Sequence, residues 1–239
     1  MTDLHRVLGR PPGADGLVLA PRTPATAGEG EPTPDAVAPL VVAAPPGDGD
    51  AVATVGGTDL HPGYVVAVEF EGDGTGRPAL AGAAVECETL LTVAEDVEGL
   101  YEAATDAFRT ARAAGEGMTS RITRGTDGDP NGALYAFADP PGERLVEGFR
   151  RGRPPLEPLI ARADAGRDAD GPMELFVLES AVDPFVAVHV VFEREGVLAN
   201  TVRETYDLPR PDAAGGLAGR LDDAADGETS DDGDSPRRE

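Results

Sequence analysis

The sequence predicts an α+β protein made of three consecutive parts. Residues 1–92 contain short apolar runs and two segments that alternate apolar and polar side chains with a period of two, which predicts a small β-barrel domain. Residues 93–210 follow the order helix, strands, helices, strands, which is typical of an α+β domain with a mostly antiparallel sheet. Residues 211–239 contain nine acids, three arginines and no strong apolar period, and they predict a disordered acidic tail.

The first part is predicted to be a barrel because its apolar runs are short and closely spaced. Residues 16–22 and 38–44 are two such runs, and residues 66–71 and 85–93 show a clear alternation. Residues 72–78, between the alternating segments, have the composition of a turn. About five short strands in such a segment indicate a closed barrel of the OB or SH3-like kind.

A connecting helix is predicted to follow this barrel. Thr92 and Glu95 have the spacing of a capping box, and Gly115 is a natural end of the helix. The apolar residues between them recur on one face at helical spacing: Val97, Leu100, Tyr101, Ala104, Phe108 and Ala111.

The remainder of the second part predicts one sheet with helices on one face. Two short helical patterns are interrupted by prolines, and the apolar runs around them have strand length. Strands are predicted at 118–124, 133–139, 172–180, 184–193 and 196–207, and helices at 142–152 and 155–165.

The chain is strongly acidic. It carries 44 acidic residues against 20 basic ones, all of them arginine, for a formal net charge of −24. Such a charge destabilises a compact fold by self-repulsion, but in 1 M salt the Debye length is only about 3 Å and the repulsion is largely screened. The alternative is an ordinary acidic protein from a GC-rich genome. Such a genome would explain the use of arginine instead of lysine, but it would not explain the excess of acidic residues. The composition therefore predicts a halophilic protein, and it resembles that of haloarchaeal cytoplasmic proteins.

Cysteine content and hydropathy limit the classes of protein further. Cys87 is the single cysteine, which excludes an internal disulfide and a cysteine-based zinc site. No apolar run approaches the ~18 residues of a membrane span, and residues 1–16 lack the apolar core of a signal peptide. We expect a soluble cytoplasmic protein with no membrane partner. Because the sequence has no nucleotide-binding loop and no dinucleotide fingerprint, we also expect no cofactor.

The segment 123–139 contains the front half of a calcium loop. Asp127, Asp129, Asn131 and Gly132 follow the order D-x-D-x-N-G, which supplies side-chain oxygens at alternate positions and a glycine for the sharp turn. The bidentate glutamate of a complete loop is missing, because Ala138 occupies its position. The pattern therefore gives two interpretations, a divalent-metal site at the three oxygen-bearing residues and a turn between two strands.

The same segment contains a wider set of polar side chains. Arginine holds phosphate or carboxylate through paired hydrogen bonds, so a ligand site is one hypothesis for 119–132. The structural alternative is arginine–aspartate pairing across a surface hairpin, which contributes only ~0.2–1 kcal/mol per exposed pair. The candidate ligand-binding residues are Ser120, Arg121, Thr123, Arg124 and Asn131.

Clustered arginines suggest a nucleic-acid-binding surface as a further hypothesis. Arg150, Arg151 and Arg153, together with the four arginines of residues 109–124, could form a basic strip. Phosphate contacts weaken steeply with salt, and the predicted barrel has few aromatic residues for base stacking. The alternative is an arginine-rich helix end that interacts with the helix dipole.

The residue pattern gives little support for a catalytic function. Ser180, Asp183 and His189 are close in sequence, but no G-x-S-x-G motif accompanies them. His189 lies inside a predicted strand between two valines, where we expect a buried structural histidine. His5 falls in an N-terminal segment that we expect to be mobile.

Three stretches carry a resemblance to a known family. They are "AGEGMTSRITRGTDGDPNGALYAFAD", "RRGRPPLEPLIARA" and "DPFVAVHVVFEREGVLANTVRETYDL", which cover much of residues 113–208. In these stretches the chain resembles a family of uncharacterised haloarchaeal proteins of unknown function. The resemblance implies a haloarchaeal setting and provides no catalytic residues to transfer.

The function that these observations favour is a non-catalytic binding or regulatory module. We expect a protein partner, with nucleic acid as the alternative partner. The competing hypothesis is a protein that binds a divalent metal or a phosphate-bearing ligand at the 119–132 loop, with enzymatic activity as one form of it.

Overall fold

The computed structural model of the protein describes residues 4–13, 15–22, 38–71, 76–165 and 171–210. The predicted disordered tail, residues 211–239, lies outside these residues, as does part of the predicted turn at 72–78. The described residues form two five-stranded sheets, one short hairpin and four helices. The predicted α+β class is confirmed.

The first sheet contains five antiparallel strands in the order β3-β2-β1-β6-β7. Val7, Leu17, Leu19, Val66 and Val68 share one face, and this face forms a separate apolar core. The strands are β1 (Leu4–Gly9), β2 (Leu17–Pro21), β3 (Leu40–Val42), β6 (Val65–Glu71) and β7 (Ala79–Cys87), and the hairpin is β4 (Ala53–Val55) with β5 (Thr58–Leu60).

The two edges of this sheet, β3 and β7, approach each other without forming a ladder. Ala43, next to β3, forms a single bridge with Ala79, through bonds from the Ala43 N–H to the Pro78 carbonyl and from the Leu80 N–H to the Ala43 carbonyl. One bridge does not make a continuous barrel. No closed OB or SH3-like barrel is therefore found in the described part of the chain.

The second sheet has the strand order β8-β11-β12-β10-β9. β8 and β11 are parallel, whereas the other neighbouring pairs are antiparallel, so the predicted mostly antiparallel sheet is present. Its strands are β8 (Leu90–Val97), β9 (Met118–Arg124), β10 (Pro130–Ala138), β11 (Glu174–Ser180) and β12 (Phe185–Val191).

Helices cover both faces of this second sheet. The helices are α1 (Glu102–Ala113), α2 (Leu145–Arg150), α3 (Glu157–Asp164) and α4 (Val197–Thr205). α1 and α4 pack on the face that includes Leu134 and Phe176, and α2 and α3 pack on the face that includes Tyr135 and Val177. The expectation of helices on one face was wrong. The nearly continuous apolar runs of β11 and β12 are typical of strands that are buried on both sides.

Three local predictions were also wrong. Residues 92–97 form the end of β8, so Thr92 and Glu95 do not cap a helix; the helix begins at Glu102. Residues 197–205 form α4 rather than a strand, because Ala199, Val202 and Arg203 are buried at helical spacing. His5 is 4% exposed within β1 and is not part of a mobile terminus.

Part of the first sheet packs in a core of the second sheet. Leu8, Val18 and Ala20 on the outer face of the first sheet pack in the same cluster as Val146 and Phe149 of α2. Helices α2 and α3 thus bury apolar surface from both sheets. The predicted domain boundary at residue 92 stays a prediction. Among the described residues, no helix combines the length and the apolar character that a membrane-spanning helix requires.

Candidate functional site

The β9–β10 hairpin contains all the residues predicted for a ligand or metal site. The carboxylate oxygen Oδ1 of Asp127 accepts a hydrogen bond from the Asp129 N–H at 3.0 Å, and Arg124 Nη1 donates to the Gly128 carbonyl at 2.9 Å. Asp127 thus closes the loop in the way that the turn interpretation assigns to it. Both aspartates of the loop are exposed to solvent.

The sheet register divides the predicted ligand residues between two faces. Ser120 lies opposite Tyr135, which belongs to the core under α2 and α3. Side chains alternate along a strand, so Arg124 shares this face, whereas Arg121 and Thr123 lie on the face under α1. The four candidate residues on β9 therefore lie on two opposite faces of an edge strand.

Two polar atoms of the hairpin are buried without a hydrogen-bond partner in the described part of the chain. They are Thr123 Oγ1 and Asn131 Oδ1. The Thr123 side chain packs against Gly132. A Cβ atom added at Gly132 would lie 2.9 Å from Thr123 Oγ1. Buried polar atoms of this kind commonly bind water or a ligand atom.

The carboxylates that converge in the structure lie elsewhere. Among the described residues, the one group of three potential metal ligands whose oxygens lie within 4.8 Å of one another is Glu95, Asp96 and Glu179. Glu95 and Asp96 lie near the carboxyl end of β8, and Glu179 lies near that of the parallel strand β11. The sequence reasoning missed this group because residues 92–97 were assigned to a helix.

Two arginines pair with Glu95 and Glu179 of this group. Arg144 donates from Nε to Glu179 at 2.8 Å and from Nη2 to Glu95 at 3.0 Å, and Arg150 Nη1 lies 2.7 Å from the other Glu95 oxygen. The hydrogen bond to Glu179 is the main cause that raises the pKa of Arg144. The network fastens α2 to the end of the sheet and engages the oxygens of Glu95 and Glu179, whereas Asp96 is exposed.

Asp139 extends this network at the end of β10. Its carboxylate accepts a hydrogen bond from the Leu145 N–H at 3.1 Å, which satisfies a backbone donor at the start of α2. Burial raises the pKa of Asp139, and the nearby Glu179 charge raises it further, against the opposing effects of the Leu145 N–H and of Arg144. Together these contacts assign the cluster a structural role.

His189 lies in the interior of β12 and is 4% exposed. Its Nε2 atom is buried without a hydrogen-bond partner among the described residues. The centre of the imidazole ring lies 6.1 Å from the centre of the Tyr101 ring, in an edge-on arrangement. Burial lowers the pKa of His189 to about 4. The hydroxyl of Ser180 instead accepts hydrogen bonds from the Val182 and Asp183 N–H groups, so these residues close a turn and form no catalytic triad.

A buried ion pair joins β11 to α4. Arg203, 5% exposed, contacts the fully buried carboxylate of Glu174, and its guanidinium lies 5.2 Å from the centre of the Phe176 ring. The second Glu174 oxygen accepts a hydrogen bond from the Glu195 N–H at 3.1 Å. Because both charges are compensated inside the core, this pair stabilises the packing of α4 and is not open to a ligand.

A cavity of about 640 Å³ lies where the first sheet meets α3. Arg6, Arg22, Cys87, Thr89 and Met173 are among its lining residues. The buried Arg6 guanidinium donates to the Glu157 carboxylate and to the Gly63 carbonyl, so protein acceptors already bind it. The volume is that of a small-molecule site, but its buried cation is already neutralised.

The arginines of the predicted nucleic-acid strip are partly neutralised. Arg150 pairs with Glu95, and Arg151 lies 3.5 Å from Glu147 one helical turn away. Arg153 is exposed. Pairing of this kind reduces the net positive charge that a phosphate backbone would meet.

β9 is an outer strand that pairs only with β10 among the described strands. No residue of β9 is buried, and its two large apolar side chains, Met118 and Ile122, are 38% and 47% exposed on one face. An exposed apolar edge strand presents unpaired N–H and C=O groups to any extended chain that approaches it. β9 therefore combines the geometry of a strand-pairing surface with most of the predicted ligand residues.

A family model described as "Family of unknown function (DUF6663)" matches residues 1–211. The chain belongs to this family. The predicted resemblance to a family of unknown function is confirmed. The match to the DUF6663 family gives no information about a haloarchaeal origin. The match spans both sheets of the DUF6663 chain and stops at the start of the acidic tail. No curated protein and no solved structure matches the DUF6663 chain.

Proposed function

We propose that this chain is a non-catalytic binding module that captures an extended segment of a partner protein at β9. The observation that carries the proposal is that no β9 residue is buried, and five of the seven are exposed, at an outer edge of an otherwise covered sheet. The partner segment adds a strand beside β9, so main-chain hydrogen bonds supply affinity and the side chains supply specificity.

The side chains of β9 favour an acidic partner segment with apolar positions. Met118 and Ile122 offer apolar contacts on one face, and Arg121 offers an exposed guanidinium on the other. A strand that alternates apolar and acidic residues would match both faces of β9. Arg124, at the end of β9, adds a second positive charge for the same partner.

The test is site-specific photo-crosslinking followed by hydrogen exchange. Full-length protein with a photo-reactive residue at position 122 should form a nuclease-resistant protein adduct in a native high-salt lysate. The matched control carries the same group at position 182, where Val182 is 82% exposed outside any strand. Added partner, once isolated, should slow exchange of the β9 amides. Identical adducts at both positions, or unchanged exchange in β9, would reject the proposal.

The same crosslinking experiment addresses the alternative partner. A nucleic acid at the basic residues around Arg121 and Arg153 would give an adduct that nuclease treatment shortens or removes. Its affinity would also fall steeply with salt, because phosphate contacts release counterions.

The second candidate function is a divalent-metal or phosphate-ligand site at the 119–132 loop. The buried, unpartnered oxygens of Thr123 and Asn131 support it. Calorimetry with calcium, magnesium and manganese, and separately with inorganic phosphate, tests it in molar KCl. Heat that disappears in Asp127→Ala would support the metal, and heat that disappears in Arg121→Ala would support phosphate. No heat in either titration would remove this candidate.

We also propose a haloarchaeal-type cytoplasmic setting with high salt. The net charge of −24 supports it, because salt screens the repulsion among surface carboxylates. The melting temperature should rise steeply when KCl increases from about 0.1 M to the molar range. A melting temperature that does not change with salt would contradict this proposal.

Closure of the first sheet into a small barrel is a further part of the proposed architecture. The Ala43–Ala79 bridge supports it, because the two edge strands meet there. The Ala43 and Leu80 amides should then exchange as slowly as amides inside the ladders. Rapid exchange at both amides would indicate an open sheet.

A further inference from the structure

The ladder between β9 and β10 determines which backbone groups of β9 point outward. The Ala138 N–H bonds to the Gly117 carbonyl, and the register then continues to Thr123 opposite Gly132. Hydrogen-bonded and non-hydrogen-bonded pairs alternate along an antiparallel ladder, so the odd-numbered residues of β9 bond to β10. The N–H and C=O groups of the even-numbered residues therefore point to the open edge. These residues are Met118, Ser120, Ile122 and Arg124.

The segment 116–124 reads EGMTSRITR and is complementary to itself when two copies run antiparallel. The pair is symmetric when Ser120 of one copy lies opposite Ser120 of the other. Met118 of each copy then faces Ile122 of the other, so the large exposed apolar side chains of β9 meet. Glu116 of each copy faces Arg124 of the other, so opposite charges meet at both ends of the paired strands.

The neighbouring registers lack this match. Only even-numbered residues present outward hydrogen-bonding groups, so even-numbered residues must face one another, and the nearest alternatives centre on Arg121 or on Thr119. Centring on Arg121 places the two Arg121 side chains directly opposite each other, and like charges in this position destabilise a strand pair. Centring on Thr119 places Ile122 opposite Glu116 and removes both apolar contacts. The side chains of β9 therefore select the register that is centred on Ser120.

The surroundings of β9 leave room for a second strand. Met118, Ser120 and Ile122 share the sheet face opposite α1, and in the symmetric pair they form one apolar strip across both copies. α1 contacts β10 as well as β9 on the other face, and the exposure of Arg121 shows that the helix leaves the outer side of β9 open. Arg121 of each copy then faces Thr119 of the other, without a like-charge contact.

Salt removes the main obstacle to this pairing. Each copy carries a net charge of −24, so two copies repel each other in dilute salt. Asp127 and Asp129 also lie in the loop next to Arg124 and repel Glu116 of a second copy. At 1 M salt the Debye length is about 3 Å, so mainly charges in direct contact still interact, such as Glu116 with Arg124 of the other copy.

We propose that two copies of the chain pair β9 with β9 around Ser120 and join their five-stranded second sheets into one continuous sheet. This inference rests on the proposed function of β9 as a strand-pairing surface, and it makes the second copy a competitor of the partner segment. About six main-chain hydrogen bonds form across the pair. One strand from each copy makes a small interface compared with the standard of about 1,600 Å², so the dimer dissociates on dilution.

Register-specific disulfides test this pairing in the full-length protein. The native cysteine is removed by Cys87→Ser, and Ser120→Cys is introduced at the centre of the predicted pair. In a glutathione redox buffer with about 2 M KCl, this variant should form a disulfide-linked dimer, because directly opposite Cα atoms lie about 5.5 Å apart.

Two further cysteine variants report the register. Met118→Cys and Ile122→Cys, each with Cys87→Ser, should form little disulfide alone, because like positions of the two copies lie about 14 Å apart along the strands. A mixture of the two variants should form at least about ten times more linked dimer than either one alone, because these positions face each other. Equal amounts in the single variants and in the mixture would overturn the proposal.

A charge exchange tests the ends of the pair by sedimentation equilibrium. Glu116→Arg places like charges opposite each other and should raise the dissociation constant of the dimer about threefold. The double variant Glu116→Arg, Arg124→Glu exchanges the charges and should restore it. Arg153→Glu, at an exposed arginine outside β9, is the matched control and should leave dimerisation unchanged. A double variant that dimerises less than Glu116→Arg would overturn the assigned register.

The outcomes separate this inference from the proposed function. Wild-type protein should sediment as a monomer at about 1 µM and approach the mass of a dimer at about 1 mM in molar KCl. A monomer at every concentration, while the position-122 crosslink captures a different protein, would reject this inference alone. Register-specific dimers, while the position-122 crosslink in the lysate gives only an adduct of two identical chains, would reject the capture of a different protein alone.

Discussion

β9 and β12 both pair with β10, and both run antiparallel to it, yet every residue of β12 is buried and no residue of β9 is. β12 reads FVAVHVV and is covered by helices on both faces, so its one polar side chain is forced to remain neutral. β9 reads MTSRITR and keeps its arginines in solvent. The comparison teaches that position within a sheet decides whether a polar residue is structural or available for binding.

The largest expected effect concerns the buried interior next to β12. Glu174→Ala leaves Arg203 charged and unpaired in the core, which should lower the free energy of unfolding by about 3–5 kcal/mol. Chemical denaturation at molar salt measures this loss. The matched control is Glu147→Ala, which removes a surface pair and should cost about 0.5 kcal/mol or less.

An apolar replacement of both charges sharpens the same test. The double variant Glu174→Leu, Arg203→Met should be more stable than Glu174→Ala, because no uncompensated charge remains inside. A double variant that is as unstable as the single one would show that packing, and not the ion pair, fixes α4.

The next effect is a pH dependence that arises in β12. The folded-state pKa of His189 is about 4, below the unfolded value of ~6.5, so the unfolded chain takes up the proton first. Stability is therefore complete above pH ~6.5 and falls by about 3 kcal/mol as the pH decreases to 4. Denaturation curves at several pH values measure this loss of stability. Titrating carboxylates contribute equally to wild type and to His189→Leu, so subtracting the two pH profiles isolates the contribution of His189. Equal pH profiles for the two proteins would contradict the buried neutral state.

A smaller effect is expected at Gly132 of β10, between the two strands compared above. A Cβ atom at this position would lie 2.5 Å from the Val190 carbonyl oxygen and 2.9 Å from Thr123 Oγ1. Gly132→Ala should therefore lower stability by about 1–3 kcal/mol through overpacking. Gly117→Ala, where a Cβ atom would meet open space, is the control and should not destabilise. Thermal denaturation of the two variants compares them directly.

The smallest effect on stability is expected in β9 itself. Ile122→Thr keeps a β-branched side chain on the exposed face and should change the free energy of unfolding by less than about 0.5 kcal/mol. The same variant should weaken capture of the partner segment, which a binding titration with the isolated partner measures. A loss of stability comparable with that of Gly132→Ala would mean that Ile122 is buried in solution, against a second copy of the chain.

Local patterns in the sequence were sufficient for most strands. Residues 118–124 and 133–139 were predicted as a strand pair with a turn between them, and the structure contains β9 and β10 joined by such a turn. The composition of the loop at 125–129 identified its turn chemistry, because aspartate and glycine adopt conformations that other residues avoid. The metal and ligand interpretations of this hairpin stay predictions.

The carboxylate network at the sheet end could not be predicted in the same way. Glu95 was assigned to a helix start, because Thr92 and Glu95 imitate a capping box, and tertiary pairing of β8 with β11 overrode that local signal. Arg144 is 35 residues from its partner Glu179, so no local pattern connects them. The assignment of 196–207 to a strand failed because its valines suit a strand as well as a helix face.

The sequence by itself determined the α+β class, the excess of acids and an arginine-rich hairpin, since each of these depends only on composition or on neighbouring residues. Tertiary structure alone decided that Arg203 is an interior group while Arg121 is an available one. The physical reason is that the state of a charged or polar side chain depends on what covers it, and in a folded chain the covering residues come from distant segments.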